Sequence, residues 1–192
     1  MNRLQKEERA METLWQDLVN TDWHDYRGTG RDEDRLLRPG WIGQLLEHWG
    51  MQQVHEPVTE ETIAAFQQLR TLLQQIIQAL FKNSSPRESD ITALNTYFEQ
   101  APSRLLLIRK GQHLVQEQVP YEQNWSWVLS KVAASFASIL VEYDPSRIKQ
   151  CENPDCCWVY YDESSSKSRR WCEESCANIM RVRRFRERHR QS

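Results

Sequence analysis

The chain has 192 residues and a net charge of −2, long enough to bury a core without covalent staples. Hydrophobic residues make up 39%, and no apolar run approaches the roughly 20 residues needed to span a bilayer; a membrane partner is not expected. The N-terminal stretch MNRLQKEERAMETLW carries acids where a secretion signal has an apolar core. The expected location is therefore the cytoplasm, where clustered thiols serve metal or redox chemistry more often than disulfides.

The first expected helix places Leu4, Met11, Leu14, Trp15 and Leu18 near helical spacing. Residues 22–38 are polar and contain glycine, which suggests a surface loop. Trp41, Ile42, Leu45, Leu46 and Trp49 mark a short amphipathic helix stopped at Gly50. A longer helix starts at Thr59, a good N-cap, with Glu60 and Glu61 favouring the positive end of the helix dipole. Its stripe runs through Ile63, Phe66, Leu69, Leu72, Leu73, Ile76, Ile77 and Leu80, and Asn83-Ser84-Ser85-Pro86 ends it. Ile91, Leu94, Tyr97 and Phe98 give a further short helix. Residues 104–109 and 112–119 flank Lys110-Gly111, read as a two-residue hairpin turn. Trp125, Val128, Leu129, Val132, Phe136, Ile139, Leu140 and Tyr143 complete the helical set before Pro145. The expected fold is mainly α with one β-hairpin (α+β). Its α-rich domain covers 1–147, for sensing or oligomerisation, and a smaller unit covers 148–192.

That smaller unit carries the specific chemistry. All five cysteines fall in the last 42 residues, four of them as Cys151-x4-Cys156 and Cys172-x3-Cys176. Zinc takes four tetrahedral ligands and binds thiolates well. Glu-Asn-Pro-Asp between the first pair is a turn. Trp158 to Tyr161 form a β-prone stretch, Ser164-Ser165-Ser166 a turn, and Arg169-Arg170-Trp171 a possible return strand. Cys172 and Cys176, four apart, share one face of a helical turn. Knuckle, hairpin and helix in this order describe a treble-clef-like zinc finger with a basic C-terminal helix and one structural Zn2+. A metal is needed because some 45 residues with few aliphatic side chains bury too little core alone. Disulfides or free thiols are the other readings. Cys157 is the extra thiol, either a bystander or redox-sensitive.

Charge divides at the same place. Residues 164–192 hold nine Lys/Arg and three acids, whereas residues 1–163 hold 16 basic and 24 acidic residues. Ile179, Val182 and Phe185 share a stripe expected to pack on the hairpin. Arg181, Arg184 and Arg188 flank it on one side, and Arg183, Arg186 and Arg190 on the other. With Lys167, Arg169 and Arg170 they make a set suited to phosphate or guanine contact. The alternatives are a solvated tail or a helix that pairs with the acidic body.

At these residues the chain resembles the CGNR zinc-finger family. The matching stretch is Cys151-Glu-Asn-Pro-Asp-Cys156, then Trp158, Asp162, Ser164 and Arg169-Arg170-Trp171-Cys172, with Cys176-Ala177-Asn178-Ile179 at the name motif. Alanine replaces the motif's glycine and isoleucine its arginine, and Cys157 stands where the family often has glycine. Members pair such a finger with an N-terminal α-rich ABATE domain, which Asp17-Leu18-Val19-Asn20-Thr21 and Leu69-Arg70 resemble. The resemblance implies a stress-induced transcriptional regulator.

Asn20, Thr21 and Arg70 either hold the core together through hydrogen bonds or line a pocket for a small anionic effector. Trp15, Trp41, Trp49 and Trp125 read as core, while Trp23 lies in a polar stretch. An enzyme is not expected: there is no phosphate-cradling glycine loop, and the five histidines show no ligand spacing. The expected partner is nucleic acid, double-stranded DNA first, with a small-molecule effector and a homodimer also possible. An RNA-binding module stacking on Trp158, Tyr160 or Tyr161 and a protein-interaction module are the alternatives.

Overall fold

The computed structural model describes residues 13–190; Leu4 and Met11 of the first expected helix lie outside them. The helix α1 runs over residues 13–19 and buries Leu14, Trp15, Leu18 and Val19. Trp15 packs on Phe136 with ring centroids 5.5 Å apart, and its backbone N–H donates to Ser135 Oγ at 3.0 Å. These contacts fix α1 against α5 (Trp125–Val141). The central helix α3 (Glu60–Phe81) opens on a capping box formed by Thr59 and Thr62. Phe66, Leu69, Leu73, Ile76 and Ile77 make it the spine of the core. The short helix α2 (Trp41–His48) and α4 (Glu88–Glu99) close the bundle.

The class is α+β as expected, with three antiparallel hairpins rather than one. β3 (Ser103–Lys110) pairs with β4 (His113–Pro120) around a turn at Gly111-Gln112, one residue later than the expected Lys110-Gly111, with Lys110 opposite His113. Gly111 has φ +64, which the first central position of a type II′ turn requires. A second hairpin lies inside the stretch expected as loop: β1 (Asp22–His24) pairs with β2 (Asp32–Asp34). A 3-10 turn at Arg35–Leu37 follows, capped by Asp34 and burying Leu36. Side-chain pairing holds this polar hairpin, as in the 2.8 Å contact of His24 Nδ1 with Asp32 Oδ1.

The third hairpin begins the C-terminal unit. β5 (Ile148–Gln150) pairs with β6 (Val159–Tyr161) across the first cysteine pair. The expected return strand at Arg169–Trp171 is absent. That segment is tied down singly, by Tyr160 Oη donating to Arg169 O at 2.9 Å and Glu152 N donating to Arg170 O at 2.9 Å. α6 (Glu174–Arg190) ends the described chain. The finger is not a pendant: Ile148 and Val159 are buried in the core of the body, with Tyr161 against them.

Candidate metal centre and nucleic-acid interface

Cys151 follows β5, and its N–H donates to Trp158 O at 2.8 Å, while Cys156 N donates to Asn153 O at 3.0 Å. These bonds fold the Glu-Asn-Pro-Asp segment into a knuckle that turns both sulfurs inward. Cys176 lies in the first turn of α6, and Cys172 lies two residues before the helix rather than within it. The four Sγ atoms all lie within 4.8 Å of one another, and all four residues are buried. Cys156 and Cys172 are 3.6 Å apart, Cys172 and Cys176 3.8 Å. Tetrahedral zinc with Zn–S bonds of about 2.3 Å needs sulfurs about 3.8 Å apart. The donor set therefore fits one structural Zn2+, with no position left for substrate.

Cys151, Cys156 and Cys172 cannot ionise independently. Hydrogen bonds from Cys156 and Cys172 pull the Cys151 thiol down, and the Cys151 sulfur pushes Cys156 and Cys172 up. A divalent cation resolves that conflict by stabilising every thiolate at once. Further bonds orient the sulfurs: Cys172 N lies 3.5 Å from Cys151 Sγ and Asn153 Nδ2 3.5 Å from Cys176 Sγ. Asn153 also donates to Tyr26 O at 2.8 Å, so the β1–β2 loop grips the knuckle. The buried Asp162 accepts from Lys149 Nζ at 2.6 Å, Ser164 Oγ at 2.6 Å and Arg169 N at 3.0 Å. This organises the loop leading to Cys172. Asn153 and Asp162 are positioning residues that spacing alone does not single out, although both sit inside the stretch that carries the family resemblance.

Cys157 stands apart from the four sulfurs, with φ +53. Burial and the Asp22, Asp32 and Asp155 carboxylates push its thiol up, which keeps it protonated and a poor nucleophile. Left-handed backbone costs an L-residue roughly 1–2 kcal/mol, part of which glycine returns as chain entropy. Cys157→Gly is therefore expected to raise finger stability by about 1 kcal/mol, measured as a higher denaturation midpoint of the zinc-loaded protein. A lowered midpoint would show that the thiol packs usefully.

The basic residues divide into two groups. Lys167 pairs with Asp144. Arg169 caps Trp171 O at 2.9 Å and Cys172 O, and lies over the Tyr160 ring. Arg170 pairs with Glu152, and Arg183 with Asp155 at 2.5 Å. The three arginines serve the finger itself, and Lys167 ties it to Asp144 at the end of the body. Arg181, Arg184, Arg186, Arg188 and Arg190 lie exposed along α6. Arg181, Arg184 and Arg186 form no ion pair among the described residues.

The rotation of α6 differs from the expected one. Val182 and Phe185 are 47% and 54% exposed, while Cys176 and Arg183 face the knuckle. The metal position and the Arg183–Asp155 pair set the rotation, overriding a weak apolar stripe. An outward face results in which Val182 and Phe185 lie among open arginines. Beside it, a cleft is lined by Trp171, Ala177, Arg181, Arg184, Glu187 and Arg188, and Arg170 and Arg184 lie 5.1 and 5.6 Å from the Trp171 ring.

Asn20, Thr21 and Arg70 come together at the junction of body and finger. Asn20 Nδ2 donates to Val159 O and Val159 N donates to Asn20 Oδ1, both at 2.8 Å, so a side-chain amide pairs with the edge of β6. Arg70 donates to Thr21 Oγ1 at 2.9 Å and to both Asp34 oxygens at 2.7 Å. Asn20→Ala would leave the N–H and C=O of Val159 buried without partners. The expected loss is about 2–4 kcal/mol, read from urea denaturation; a loss under about 0.5 kcal/mol, within the ordinary surface-substitution range, would contradict the pairing.

Two family models match this chain. The ABATE model, described as "Putative stress-induced transcription regulator", matches residues 12–143, and the CGNR zinc finger model matches residues 147–189. A search of curated proteins found no match. No helix among the described residues is long and apolar enough to cross a membrane.

Proposed function

Because the chain belongs to the ABATE family and carries a CGNR zinc finger at its C-terminal end, we propose that it is a DNA-binding transcriptional regulator in which a structural zinc ion presents α6 to duplex DNA. The observation that carries this reading is the division of the arginines. Had the basic end evolved only to dock on its own body, its guanidinium groups would all be paired there. Instead Arg183 on α6 pairs with Asp155 of the knuckle, and Arg181, Arg184 and Arg186 are exposed along with Val182 and Phe185 and form no ion pair among the described residues. Arginine supplies bidentate contacts to phosphate and guanine, and small apolar groups contact the thymine methyl. One helix in the major groove uses both.

Of the three aromatic residues that an RNA reading would use, Trp158 stays partly exposed and the two tyrosines are engaged. Tyr160 is buried, and Tyr161 packs edge-on against Tyr143 with centroids 6.1 Å apart. In the regulatory half of the proposal, the body binds an effector near Asn20, Thr21 and Arg70. It passes the change to the finger through Asn20–Val159 and Tyr26–Asn153. Selection of bound sequences from random duplex DNA, with hairpin RNA and single strands as parallel pools, tests the first half. Enrichment of a duplex motif supports it. Enrichment only from the RNA or single-strand pool, or from none, rejects it.

A further inference from the structure

Trp23, Arg35 and Trp41 form a cluster that the finger and its contacts do not use. The Arg35 guanidinium carbon lies 5.1 Å from the Trp23 ring centroid and 4.9 Å from that of Trp41. Cation–π attraction holds the side chain between the two indoles. Part of its hydrogen-bonding capacity, the Nε–H, is unspent. Arg35 Nε and Trp41 Nε1 are both buried with no acceptor among the described residues. The nearby carboxylates are committed elsewhere: Glu33 to Arg38 at 3.1 Å, and Asp34 to Arg70 and Gln67. Cation–π stacking explains why Arg35 sits there. It does not explain two adjacent buried donors without an acceptor, an arrangement that native proteins rarely retain without a ligand or ion to satisfy it.

We propose that Arg35, Trp23 and Trp41 form a binding slot for the carboxylate of a small organic acid, an assignment that rests on the reading of the body as the effector-binding half. Every unsatisfied group in the slot is a donor, so the ligand is an anion. The guanidinium is a flat fork that takes a coplanar carboxylate through two parallel N–H···O bonds. Flanking indole faces suit that flat pair better than a tetrahedral phosphate. They also give the acid's apolar body a surface to lie on. Arg35 N donates to Thr21 O at 2.8 Å. Thr21 follows Asn20, which holds Val159 of the finger, so a bound acid lies one backbone hydrogen bond from the junction.

The test uses the full zinc-loaded chain without nucleic acid. Thermal melting and tryptophan fluorescence are followed against sodium benzoate and sodium acetate, with sodium chloride and sodium phosphate at matched ionic strength. The expected result is a saturable rise in Tm and a fluorescence change with the carboxylates, benzoate ahead of acetate. Arg35→Gln should weaken it about tenfold or more, while Arg31→Gln, which removes an equal, exposed charge and leaves the Glu33–Arg38 pair intact, should retain it. Arg35→Lys keeps the cation without the fork, and should show the same weakening if Arg35→Gln folds poorly. No saturable response in the wild-type protein overturns the slot. A carboxylate response equal in wild type and the Arg35 variants also overturns it but leaves an effector-binding body standing, and phosphate binding as tightly as benzoate overturns the carboxylate assignment.

Discussion

Removal of zinc by a chelator is expected to release one equivalent and unfold the chain from Cys151 to the end of α6. Structural zinc contributes about 10–16 kcal/mol in small finger peptides, as much as a whole domain's usual stability of roughly 5–15 kcal/mol. No apolar cluster within the finger can replace it. The five core residues there are the four cysteines and Tyr160, with Tyr26, Trp158 and Trp171 packed against them. The body should remain helical, because α3 and α5 carry their own core. It should not be indifferent, however. Ile148 and Val159 belong to its core, and Asn20 holds β6. Loosening that hairpin costs a few kcal/mol of burial and hydrogen bonding. At about 2–4 °C per kcal/mol for a chain of this size, the body's Tm should fall by roughly 5–15 °C. Cys172→Ser should reproduce both effects. Hydrogen exchange with a zinc assay gives the readout; one equivalent retained by that variant, or an unchanged body Tm after chelation, would contradict the account.

Arg181→Ala combined with Arg184→Ala is expected to weaken duplex DNA binding by about 10–100-fold at moderate salt. Each lost phosphate contact removes about 0.9 from the log–log salt slope, so the slope should become shallower by about 2. Neither side chain hydrogen-bonds the knuckle among the described residues, and Arg184 meets the finger through the Trp171 ring, so zinc content should stay at one equivalent and Tm close to wild type. Arg183→Ala should do the reverse. It removes the ion pair with Asp155 and the contact with Asn153, and should lower finger stability by about 1–2 kcal/mol with little change in slope. A slope that responds to Arg183 and not to Arg181 and Arg184 would move the interface to the other side of α6.

The parts of the fold that follow from periodicity were legible in the sequence. α3 and α5 bury most of the residues their 3.6-residue stripes mark, with Ile63, Leu72, Leu80, Trp125 and Leu140 half-buried and Tyr143 exposed beyond the end of α5, and Thr59 caps where its side chain and the following acids suggest. The cysteine spacing marked the four residues whose sulfurs gather within 4.8 Å of one another. Interactions that join distant segments were not legible. Asp22–His24 and Asp32–Asp34 lack apolar alternation, so nothing local marks them as strands. β5 is three residues long, and its partner lies across the knuckle, which made a local return strand at 169–171 look equally good. The apolar positions on α6 pointed to the wrong inward face. Once a metal anchors a helix through Cys176, two or three apolar side chains no longer decide its rotation. Asn20 is a polar residue in an apolar setting, but its partner Val159 lies 139 positions away.

Fluorescence anisotropy of a random duplex with zinc-loaded protein, repeated after chelation and across a salt series, tests the central claim most directly. The account predicts binding that steepens toward a slope of about −4.5 if all five exposed arginines of α6 contact phosphate, and that disappears when zinc is removed. Binding that survives chelation unchanged, or no binding at low salt by protein holding its full equivalent of zinc, would contradict it.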